Sequence, residues 1–104
     1  MIAINQELFK KFAQEEKPVL IEYWAPWCVY CRRITPALER LSQQQTEVVI
    51  GQVNIDEEPQ LAHGERIEVI PTLILYKKGE ALGSVVAPES KAQIEEFIRQ
   101  TLGE

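Results

Sequence analysis

Thiols and imidazoles are scarce in this chain, with two cysteines and one histidine among 104 residues. A closed zinc site takes four protein ligands. Cys28, Cys31 and His63, with no second C-x-x-C, leave one chain short of that number. No metal site within one chain is expected, although two chains sharing four thiolates would complete one. Basic charge is also short. Eleven Lys and Arg face sixteen Asp and Glu, for a net charge of −5, so no cationic surplus exists to neutralise phosphates. A nucleic-acid partner is therefore not expected. No glycine-rich phosphate loop points to an organic cofactor. No stretch approaches the roughly 18 apolar residues of a membrane helix. The opening "MIAINQELFKKF" has neither the apolar core nor the small-residue cleavage site of a signal peptide. Together these absences lead to the expectation of a cytoplasmic protein with no membrane partner. Repeats, low-complexity runs and linkers are missing too, and the length suits a single domain over residues 1–104.

What is present alternates. Asn5 before "QELFKKFAQEE" reads as an N-capped amphipathic helix with Leu8, Phe9, Phe12 and Ala13 inward. Pro18 opens "VLIEYWA", a short apolar run typical of a central strand. "RRITPALERLSQQQ" has helical spacing at Ile34, Leu38 and Leu41, with Pro36 predicting a kink. "VVIGQVNID" is a second strand, and "EEPQLAHGE" a short helix ending near Gly64. "IEVIPTLILYKKGEALGSVV" reads as two strands turning at Lys78-Gly79. "PESKAQIEEFIRQTL" closes as a helix with Ile94, Phe97, Ile98 and Leu102 on its apolar face. The order α, β, α, β, α, β, β, α predicts an α/β fold, a mixed sheet with helices on both faces.

Both cysteines fall in "EYWAPWCVYCRR", between a strand and a helix. A spacing of three brings Cys28 and Cys31 close enough for a disulfide. If the helix starts near Cys28, its free N–H groups and positive dipole end favour a thiolate there. Cys28 would then attack a substrate disulfide, and Cys31 would resolve the mixed disulfide. A structural disulfide, a metal bridge between chains and an accidental spacing are the competing readings. In a reducing cytosol a thiol pair more often has a catalytic or metal role than a structural one.

"EYWAPWCVYC", "VNIDEEPQLA", "VIPTLILYKKGE" and "SKAQIEEFI" together resemble the thioredoxin family, in register over essentially the whole chain. The resemblance implies a central sheet of four to five strands flanked by about four helices. It implies a dithiol oxidoreductase with Cys28 as exposed nucleophile and Cys31 as buried resolving thiol. It places Pro71 after a cis peptide bond facing the cysteines, leaving the Ile70 backbone free to pair with an extended substrate. Trp27 would be an apolar platform for substrate, whereas Trp24 reads as core. Phe9, Phe12, Tyr76 and Phe97 are core candidates. Asp56 reads as a strand-end cap or turn residue, and His63 as surface.

Several positions depart from the family pattern. Val29 and Tyr30 separate the cysteines where Gly-Pro is usual. Losing the proline restores an N–H that can stabilise a Cys28 thiolate, which predicts a more oxidising disulfide. Glu22 stands where thioredoxins bury an aspartate, and Gln52 where they usually carry its lysine partner. A carboxylate mid-strand either faces solvent or is a desolvated acid, acting through water as proton acceptor for Cys31. Ala87 replaces a usual glycine, which with Pro88 narrows the groove; Glu68 and Val69 make its rim more acidic and bulkier. Arg32 and Arg33 offer positive charge beside the thiols, and also fit a solvated helix face.

The expectation is a thiol–disulfide oxidoreductase, a monomer acting on protein disulfides with electrons from a thioredoxin reductase or glutathione. Its catalytic residues are Cys28, Cys31 and Glu22, and its substrate surface is Trp27, Val29, Tyr30, Ile70, Pro71 and Ala87. A glutathione-coupled or isomerase-like enzyme, favoured by Tyr30 and Glu22, is the alternative within the same chemistry. A thioredoxin-fold binding or chaperone module is the alternative outside it.

Overall fold

The structure, a computed structural model, describes residues 1–103. Among them the chain runs through β1 (Ile2–Ala3), α1 (Gln6–Phe12), β2 (Val19–Trp24), α2 (Val29–Gln44), β3 (Val49–Asn54), α3 (Pro59–Gly64), β4 (Thr72–Lys77), β5 (Glu80–Val86) and α4 (Lys91–Leu102). The expected order holds, with one addition. The chain begins with a two-residue strand that no periodicity can reveal. It pairs in parallel with β3 at Gly51 and Gln52. Gly51 makes room for it: a Cβ there would meet the Ile4 side chain and sit 3.0 Å from the Ile2 carbonyl oxygen.

The strand order is β1-β3-β2-β4-β5. β1, β3 and β2 are parallel, and β4 and β5 are antiparallel to their neighbours. The mixed sheet and its helices match the α/β expectation. Lys78 and Gly79 both have positive φ, 53° and 81°, between Lys77 and Glu80, the geometry of a two-residue hairpin.

Alternation along β2 divides the core. Leu20 shares a face with Ile50, Leu73 and Leu75, packed against Ile34, Leu38, Leu41 and Ile94, with Phe97, Ile98 and Leu102 at the margin. Val19, Ile21 and Tyr23 share the other face with Val53, Ile74 and Tyr76, covered by Leu8, Phe9, Phe12 and Leu61. Strand residues two apart lie on one face, so Glu22 shares the side of Leu20, beneath α2. Across the second face a hydroxyl chain forms. Tyr76 donates to Glu65, so the Tyr23 hydroxyl, 2.6 Å away, donates to Tyr76. Burial is the main cause that pushes both tyrosine pKa values well up; Tyr23 and Glu65 add to it at Tyr76, whereas at Tyr23 the hydrogen bond to Tyr76 pulls partly back.

Helix ends follow their caps. Asn5 Oδ1 accepts from the Leu8 N–H at 2.9 Å, and Ser90 Oγ from the Gln93 N–H at 3.1 Å. Gly103, at φ 78°, ends α4 in the left-handed region. α1 stops at Phe12, short of the expected Glu16. Gln14 and Glu15 bond back three residues, to Lys11 and Phe12, so the chain tightens into turns before Pro18. Pro36 lies inside α2, where it has no N–H to give the Arg32 carbonyl.

Candidate active site

β2 ends at Trp24, and the chain turns through Ala25, Pro26 and Trp27 into α2. Cys28 is the N-cap of that helix, with extended backbone. Its Sγ accepts from the Cys31 N–H at 3.2 Å. Val29 and Tyr30 occupy the first two helical positions, where N–H groups lack intrahelical acceptors. The two cysteines form a disulfide with Cα atoms 5.2 Å apart. Cys31 is wholly buried. Cys28, expected to be exposed, is only 8% exposed in this oxidised form. Its sulfur is bonded to Cys31 and sits 3.9 Å from the Ile70 carbonyl oxygen.

The Ile70–Pro71 bond is cis, as the family resemblance implied. Ile70 lies just outside β4, beyond the sheet's ladder, and Pro71 is buried. The Ala87 N–H donates to the Pro71 carbonyl at 2.9 Å, so the loop after β5 is tied to the same spot. Ala87 itself has φ 47°, a left-handed conformation that suits glycine and strains alanine.

Around the buried sulfurs lies an exposed apolar surface. Trp27 is 65% exposed, Tyr30 64%, and Val29 and Val69 about half. A side chain missed by sequence reasoning holds Trp27 in place. The indole Nε1–H donates to Asp56 Oδ2 at 2.9 Å. Asp56 does sit in a turn, but Asn54 caps it, accepting from the Asp56 N–H at 2.9 Å. The available signal was topological: Trp24 and Asn54 are register partners, so residues just past the two strand ends are neighbours. Trp24 is a correction. Rather than core it is half-buried, over an open cleft of about 360 Å³ that it lines with Arg32, Thr35, Pro36, Glu39 and Gln52. It is the last residue of its strand, and α2 borders the cleft beside it through Arg32, Thr35, Pro36 and Glu39.

Glu22 does not face solvent. It is 1% exposed, paired in register with Gln52 on β3 and Leu73 on β4. Gln52 Nε2 donates to Glu22 Oε1 at 2.8 Å, and Oε2 has no protein partner. Burial pushes the Glu22 carboxyl up to about 7, against a smaller downward pull from the Gln52 hydrogen bond. An acid with such a pKa can hold or release a proton near neutrality. Gln52 reaches from this acid to the cleft beneath Trp24. Among the described residues no group of three or more His, Cys, Asp or Glu gathers as metal ligands, and no helix is long and apolar enough to cross a membrane. His63 is exposed on α3.

A disulfide at a helix N-terminus, beside a cis-proline loop and an apolar platform, defines a dithiol–disulfide exchange protein. The sequence comparisons make that class specific. The family model described as Thioredoxin matches residues 1–100. A thioredoxin of Alicyclobacillus acidocaldarius is 35% identical over 95 residues, covering 90% of each chain. Thioredoxin 1 of Nostoc sp. is 35% identical over 107 residues, covering 98% of this chain and all of its own. A thioredoxin of Chlamydia caviae is 42% identical over 82 residues, covering 79% of this chain and 80% of its own. The chain belongs to the thioredoxin family, whose members are protein-disulfide reductases, and it is a thiol–disulfide oxidoreductase. These matches favour neither the isomerase-like and glutathione-coupled readings nor a binding module.

Proposed function

We propose that Cys28 is the attacking thiol and Cys31 the resolving one, and that protein disulfides are the substrates. The Cys28 thiolate forms a bond to one substrate sulfur, and the other leaves as thiolate. Cys31, deprotonated, then attacks Cys28 Sγ, closing the Cys28–Cys31 disulfide and releasing as thiolate the substrate sulfur that Cys28 had bonded. Two electrons pass from the dithiol to the substrate, which leaves with both sulfurs reduced. The carrying observation is the placement of Cys28 as N-cap, its sulfur meeting a helix N–H at 3.2 Å while Cys31 is buried behind it.

Glu22 serves as proton acceptor for Cys31 through water, favoured by its burial and raised pKa. Trp27, Val29, Tyr30, Ile70, Pro71 and Ala87 form the substrate surface, with an extended substrate segment lying along Ile70. The chain acts as a monomeric single domain in the cytoplasm, needs no organic cofactor or metal, and is reduced by a thioredoxin reductase or by glutathione. Trapping tests the roles. Cys31→Ser should accumulate a mixed disulfide at Cys28, read by mass spectrometry, and Cys28→Ser should accumulate none. Trapping at Cys31 instead would reverse the assignment. Glu22→Gln should slow substrate release from the mixed disulfide near pH 7; unchanged single-turnover rates from about pH 6 to 9 would remove Glu22 from the mechanism.

A further inference from the structure

A second cleft, of about 340 Å³, opens beside the disulfide between the first turns of α2 and the loop before α4. Tyr30 and Arg33 form its helix wall, Ile34 its buried floor, and Ala87, Pro88 and Glu89 its loop wall. The Arg33 guanidinium carbon lies 5.3 Å from the Tyr30 ring centroid, a cation–π contact that fixes the head group. The ion pairs among the described residues are Lys91–Glu95 and Arg99–Glu96, so Arg33 is in neither. Stacking uses the flat face of a guanidinium and leaves its edge N–H groups free. Glu89, on the opposite wall, would repel an anion from that side.

We propose that this cleft is a specificity site, in which Arg33, held on Tyr30, reads an acidic side chain close to the cysteine of the substrate polypeptide. The inference rests on disulfide exchange at Cys28. It commits to a substrate aspartate or glutamate one or two residues from the reacting cysteine, about 3 to 7 Å along an extended segment. Charge complementarity selects that occupant. Arg33 is the cation on the cleft wall and is pre-oriented, so little side-chain freedom is lost when it binds a carboxylate. The substrate's Cys–Cys bond is reduced as above, and the acidic residue contributes docking only.

The test compares two matched peptide disulfides that differ in one residue beside the cysteine, aspartate in one and lysine in the other. For the wild-type protein kcat/KM should favour the aspartate peptide by about fivefold at low salt, and the ratio should shrink at high salt. Arg33→Glu should invert the preference, and Arg33→Met should bring it near one. A ratio of one in the wild type, or the same ratio in wild type and Arg33→Glu, overturns the proposal. Should Arg33→Glu not fold, the wild-type ratio and its salt dependence still decide. If the wild type reduces neither peptide, the exchange reading fails and takes this inference with it.

Discussion

Glu22 carries a cost that grows with pH. In the unfolded chain its carboxyl titrates near 4.5, and in the folded protein near 7. Between these values the folded state holds a proton that the unfolded state has lost. Stability therefore falls as pH rises through this window. Its contribution is fully present below about 4.5 and lost by the time the folded group ionises. At 1.36 kcal/mol per pKa unit, the group makes the protein about 2 to 3 kcal/mol less stable at pH 8 than at pH 5. Glu22→Gln keeps the size and cannot ionise. Urea unfolding of oxidised wild type and variant at pH 5, 6, 7 and 8 isolates the term, since other groups titrate alike in both. The difference between them should grow by about 2 to 3 kcal/mol across that range, with the variant gaining as pH rises. A difference that stays flat would show that Glu22 is not a desolvated acid, and would refute its proton role with it.

Two further substitutions probe the frame around the site. Ala87→Gly should leave stability unchanged or raise it by up to about 1 kcal/mol in urea unfolding, because relief of a left-handed alanine offsets the usual glycine penalty; a loss of about 1 kcal/mol would mean that the φ of 47° carries no strain. Tyr76→Phe removes both the donor to Glu65 and the acceptor for buried Tyr23, and should cost about 1 to 3 kcal/mol by the same assay; no change would mean the hydroxyl chain contributes nothing to the fold.

Local chemistry was the legible part of this sequence. Caps at Asn5, the apolar runs of β2 and β4, the Lys78-Gly79 turn and the thiol spacing each leave a short-range mark, and each appears where it was expected. Family register supplied the cis bond at Pro71. What stayed hidden depends on contacts between distant segments. β1 exists because β3 offers a bare backbone at Gly51. Asp56 reaches Trp27 across 29 positions, and Tyr23 reaches Tyr76 across 53. The strain at Ala87 belongs to a loop tied to Pro71, and alanine gives no sign of it. Trp24 looked like core from its place on an apolar strand, which carries no sign of the cleft left between that strand end and α2.

A redox titration of the Cys28–Cys31 pair against thiol buffers at pH 7, followed by the fluorescence of Trp24 and Trp27, tests the central claim most directly. One reversible two-electron transition is expected at a potential more oxidising than about −270 mV, because Tyr30, standing where proline is usual, restores a helix N-terminal N–H that can stabilise a Cys28 thiolate. A midpoint at or below about −270 mV would contradict the role given to that residue. A disulfide that stays closed below about −300 mV would behave as a structural staple and contradict the exchange function itself.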